Sequence, residues 1–124
     1  MDKAELKSFL LIYNKIKDAI EAGKEYAYIR LCNRRKKIMF PKWLYNLPGY
    51  IEDIIISEDN PLFTYIIQES VLFGKTDKKT LAEVPLSESG YYRYKRKFEN
   101  KLYGLFIVAG YVTREEILRA KITD

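Results

Sequence analysis

Between Ser87 and Lys97 the chain reads SESGYYRYKRK, which gathers two hydroxyls, a carboxylate, three phenols and four bases within three helical turns. If Tyr91, Tyr94, Phe98, Leu102 and Leu105 form an inward stripe at steps of three and four, Ser89, Tyr92, Arg93, Arg96 and Lys97 fall on the other faces. Glu88, Ser89, Tyr92, Arg93 and Arg96 then concentrate on the first two turns, opposite the core. An arginine fork there can bond the O6 and N7 of guanine, and small residues such as Ser87, Ser89 and Gly90 allow close approach to a groove. Lys95, Lys97 and Lys101 lie further along and to the side, where an ammonium can hold a phosphate without reading sequence. Lys75, Lys78 and Lys79 can do the same from the start of a preceding short helix. Binding built this way falls steeply with salt.

A second basic block, RLCNRRKKIMFPKW, carries Arg30, Arg34, Arg35, Lys36, Lys37 and Lys42 with no acid. Two readings stand side by side: a DNA-backbone contact beside the first site, or a solvated loop with its aromatics turned inward. Trp43, next to Leu44 and Leu47, reads as core rather than as a base-stacking platform.

Other chemistry lacks its parts. There is no histidine, and Cys32 is the single cysteine, so the commonest general base and a thiolate zinc site are both missing. Glu52, Asp53, Glu58 and Asp59 cluster, but without a base or a glycine-rich phosphate loop they read as a helix face and a cap. A magnesium nuclease built on them is the weaker alternative. The expectation is a non-enzyme without cofactor or metal.

The elements that must position these residues read as helices. Residues 3–21 repeat Leu6, Phe9, Leu10, Tyr13, Ile16 and Ile20 at helical steps, and Gly23 closes the run. In KEYAYIRLCNRRKKIMF the positions Tyr26, Ile29 and Cys32 fit a helix, while the alternation of YAYIRL suits a short strand; the helix is the reading adopted here. Pro41 and Leu47-Pro48-Gly49 bracket a short turn or helix, followed by further helical turns through YIEDIIIS. Asp59 or Asn60 can cap a helix that starts at Pro61 and ends near Phe73, with Gly74 after it. Thr76 or Asp77 starts a helix of about two turns that Pro85 stops, and Ser87 starts a long one from Glu88 to about Ala109. Short helix, tight turn and long helix in that order outline a helix-turn-helix. Thr113 and Glu116 have the spacing of a capping box.

These elements make one all-α domain over residues 1–124, with the helix-turn-helix portion at 61–109. The chain is long enough for a single core. Its net charge of +5 is unevenly placed: seven bases against Glu25 in 24–50, five acids and no base in 51–74, eight bases against four acids in 75–101. The start MDKAELKSFLL reads as too charged and too broken for a signal-peptide apolar region, no run is long enough for a membrane span, and one cysteine gives no internal disulfide, so a cytoplasmic protein off the membrane is expected.

The stretch LSESGYYRYKRKFENKLYGLF resembles the C-terminal helix-turn-helix of phage-encoded transcriptional regulators of the RinA and ArpU type, a domain similar to region 4 of bacterial sigma factors. The matching residues are Ser87, Ser89, Tyr91, Tyr92, Arg93, Lys95, Arg96, Lys97 and Leu102, within about residues 61–107. Gly90 and the brevity of DKKTLAEV depart from the pattern. The resemblance implies a phage or prophage regulator that docks residues 87–97 in the major groove of double-stranded DNA, with host RNA polymerase as a possible partner and self-association open. The competing expectations are a protein-interaction module and the DNA-recognition component of a phage packaging ring.

Overall fold

The computed structural model describes residues 1–123, with side-chain surroundings through residue 119. Helix α1 (Lys3–Glu21) begins where the Asp2 carboxylate accepts the Glu5 amide at 2.8 Å. It buries Leu6, Leu10, Tyr13, Ile16 and Ile20 and leaves the chain through Gly23 at φ 72°.

Residues 24–40 do not continue as helix. They form an antiparallel hairpin, β1 (Tyr26–Leu31) and β2 (Arg34–Met39), in the register Tyr26 to Met39, Tyr28 to Lys37 and Arg30 to Arg35. The protein is therefore largely helical but not strictly all-α. The alternation in YAYIRL decides the outcome: only Ile29 is fully buried in either strand, with Ala27 and Ile38 half-buried beside it. Cys32 and Asn33 both take positive φ, 50° and 63°, which is the geometry of a two-residue turn matched to strand twist.

A 3₁₀ turn (Lys42–Asn46) seats Trp43 and Leu44 in the core, where the Trp43 ring meets Phe9 and Phe106 edge-on at 5.2 and 5.3 Å. Helix α2 (Leu47–Ser57) follows with Pro48 in its first turn. Asn60 caps α3 (Pro61–Ile67), its side-chain oxygen accepting the Leu62 and Phe63 amides. A π turn (Gln68–Leu72) extends α3 to Gly74, whose φ of 69° and missing side chain let Asn14 of α1 close in.

Thr76 caps α4 (Asp77–Glu83), and Ser87 caps α5 (Glu88–Val108) by accepting the Gly90 amide at 3.2 Å. Helix α5 is the axis of the fold. It buries Tyr91, Phe98, Leu102, Tyr103 and Phe106, against which α1, α2 and α3 pack. Tyr94 and Leu105 of the expected stripe are half-buried. Thr113 and Glu116 exchange the two bonds of a capping box at 3.1 and 3.2 Å to open α6 (Arg114–Thr123). Among the described residues no helix is long and apolar enough to cross a membrane.

Candidate nucleic-acid interface

The first turns of α5 are held by contacts on their inner side. Tyr91 is fully buried, and its hydroxyl donates to Asp77 Oδ1 at 2.6 Å, tying the start of α5 to the start of α4. Burial first, and the Asp77 carboxylate second, push the phenol well above its ordinary pKa, so it stays a donor. Lys95 Nζ reaches the same Asp77 oxygen at 3.0 Å. With Tyr91, Phe98 and Leu102 inward, Ser87, Glu88, Ser89, Tyr92, Arg93 and Arg96 are all exposed, which is the orientation that groove reading requires.

Neither Arg93 nor Arg96 makes an ion pair with any of the described residues. Tyr92 keeps part of its ring in solvent and sets its other part against Tyr91 at 5.2 Å between centroids. Arg96 and Tyr92 also line a groove with Lys7, Leu11, Lys95 and Glu99, so α1 forms the floor beside these turns.

The lysines expected to hold phosphates divide into two groups. Lys78 and Lys79 are exposed on the first turn of α4 and make no ion pair among the described residues. Lys75 instead sits between Glu83 at 2.8 Å and Glu69 at 3.1 Å, and Glu83 also accepts from the Tyr65 hydroxyl. Those two carboxylates raise the Lys75 pKa, Glu83 most. Lys97 and Lys101, one turn apart on α5, both grip Glu58 at 3.2 and 2.8 Å. Their hydrogen bonds, Lys101's the larger, draw the Glu58 carboxyl below its ordinary range. Lys75 thus fastens the π turn to α4, and Lys97 and Lys101 separately fasten α5 to the end of α2. Their charges are largely answered inside the fold.

The second basic block is built differently from the sequence expectation. Arg30, Arg34, Arg35, Lys36 and Lys37 are all exposed on the hairpin, Lys42 is exposed just beyond it, and none of them meets a carboxylate among the described residues. Five bases on β1, its turn and β2 equal the net charge of the entire chain, so the remainder is neutral. The hairpin lies back along α1 with Ile29 inward, and Lys15 of α1 donates to the Arg30 carbonyl at 3.3 Å. Leu11, in the groove beside Arg96, stands one helical turn from Lys15. Residues four apart share one face of a helix, so these two points of contact lie on the same side of α1, about 6 Å apart along its axis.

On the hairpin's outer face Tyr26, Tyr28, Arg30, Arg35, Lys37 and Met39 come together, an arrangement that a helical reading of this stretch hides. The guanidinium carbon of Arg35 lies 4.1 Å from the Tyr28 ring centre and Lys37 Nζ 4.4 Å from that of Tyr26. The signal that could have found it is the period-two placement of Tyr26, Tyr28 and Arg30 followed by Asn33, a residue that tolerates positive φ. Among the described residues no group of histidine, cysteine or carboxylate side chains could hold a metal ion. In comparisons with family models, curated proteins and solved structures, nothing matches this chain.

Proposed function

We propose that the protein is a sequence-specific double-stranded DNA-binding regulator of the kind its α5 sequence resembles, the RinA and ArpU type with a sigma-region-4-like helix-turn-helix. The observation that carries the reading is the pair Arg93 and Arg96, exposed and without a carboxylate partner among the described residues, on the first turns of a helix capped by Ser87. An unpaired arginine fork at the N-terminal end of a helix is the group that reads guanine in a major groove. Lys78 and Lys79 at the start of α4 supply unpaired charge for neighbouring phosphates, a role that Lys75, Lys97 and Lys101 take only by leaving their carboxylates. On this reading the protein works in the cytoplasm without catalysis, and host RNA polymerase is a candidate protein partner.

The test is fluorescence anisotropy with duplex fragments selected from genomic DNA, over a salt series. Arg93→Ala and Arg96→Ala should each lose about 1–3 kcal/mol of discrimination for the selected site, while Lys79→Ala weakens all duplexes alike and flattens the salt slope by about one. Absence of duplex binding at about 50 mM salt would reject the proposal.

A further inference from the structure

The hairpin's outer face has a composition that duplex binding does not use. Its bases, Arg30, Arg35 and Lys37, suit phosphates, but they are set among two tyrosines and a methionine that are 42%, 49% and 59% exposed for Tyr26, Tyr28 and Met39. Apolar rings in solvent gain nothing from a phosphate. In a duplex the base faces are stacked away, and only edges line the grooves. Arg30 and Arg35 could bond a guanine edge or a phosphate alike, but Tyr26, Tyr28 and Met39 find no flat surface to cover in a groove. A partner that shows flat apolar surfaces and phosphates together is an unpaired strand, whose bases stack on aromatic rings and arginine planes while its backbone follows positive charge.

The local energetics agree. Arg30 and Arg35 are directly opposed across the strands, a like-charge pair that weakens a hairpin, and no acid occurs between Tyr26 and Ile51 to relieve it. Packing of Ile29 against the body leaves the outer face in solvent and open to a ligand. Tyr28 and Tyr26 each hold a cation over the ring, and they meet edge to face at 5.6 Å, so the platform is ordered before anything binds.

From this juxtaposition we infer that the outer face of the β1–β2 hairpin binds single-stranded nucleic acid, with Tyr26 and Tyr28 as the stacking platform and Arg30, Arg35 and Lys37 as the phosphate contacts. The inference stands apart from the reading of α5, because it uses none of the same side chains.

Anisotropy with labelled oligothymidylate and oligouridylate of about 12 nucleotides, against a duplex of equal length, tests it. Both single strands, or either one, should bind at about 50 mM salt. Tyr26→Ala combined with Tyr28→Ala should weaken that binding by about tenfold or more and leave the duplex affinity in place, whereas Arg93→Ala combined with Arg96→Ala should do the reverse. Tyr26→Ile with Tyr28→Ile keeps strand propensity and should show the same selective loss if the alanine variant unfolds. No single-strand binding, an unchanged tyrosine variant, or equal losses on duplex and single strand would overturn the inference. So would displacement of the oligonucleotide by polyglutamate at equal charge, which would mark the face as a site for an acidic protein.

Discussion

Tyr91 donates its hydroxyl to Asp77 across the turn that joins α4 to α5, and the 2.6 Å bond is made from a fully buried ring. Because Asp77 keeps Lys95 when the phenol is removed, Tyr91→Phe should be milder than the loss of a lone buried pair. We expect about 1–2 kcal/mol of destabilisation in urea unfolding. Duplex affinity should fall with it if α4 must hold the first turns of α5 in place. A variant as stable as the parent would mean that the bond is spectator geometry.

Glu58 joins Lys97 and Lys101 to the end of α2, and both lysines hold its carboxyl below the ordinary range. A folded pKa lower than the unfolded one gives stability that is complete above the unfolded value and lost as pH falls through the folded value. The difference in stability between parent and Glu58→Gln should therefore be constant near neutrality, and should shrink as acid titrates the carboxyl from about pH 4 downwards. Circular dichroism melts over a pH series would read this. Freed of Glu58, the two ammonium groups should also steepen the salt dependence of duplex binding, by about 0.9 for each new phosphate contact.

The boundaries of α5 were legible because each end has its own local chemistry: Pro85 and the Ser87 cap before it, Gly110 at φ 83° after it. Its inward stripe was legible for the same reason, since Tyr91, Phe98 and Leu102 repeat at helical steps regardless of what covers them. The hairpin was not. Tyr26, Ile29 and Cys32 imitate a helical stripe, β2 shows no alternation because almost all of it faces water, and the turn lacks the glycine that usually marks one. Ion pairing was equally unreadable: Glu58 is about forty residues from the lysines it holds, and only the packing of α2 on α5 brings them together.

The turn of the hairpin should respond to its backbone geometry. Cys32 at φ 50° occupies a position that asparagine tolerates better and a β-branched residue barely tolerates. Cys32→Asn should raise thermal stability slightly, and Cys32→Val should cost about 1–2 kcal/mol. The Cys32 side chain is exposed, so neither result is confounded by packing. Equal stability of the two variants would show that the turn is not held at positive φ.

The opposed Arg30 and Arg35 set folding against binding. Arg30→Glu replaces repulsion by attraction across the strands and places a carboxylate near Lys15, whose ammonium already meets the backbone of residue 30. Stability should rise by about 0.2–1 kcal/mol, the range for a single cross-strand charge pair. Single-strand affinity should fall, because a cation is lost and an anion stands in its place, and the loss should be largest at low salt. The repulsion at this pair is then the cost of keeping the face open to a polyanion. If Arg30→Glu destabilises the fold instead, the charge density of the hairpin is answered within the molecule, and the case for an external anionic partner on that face fails.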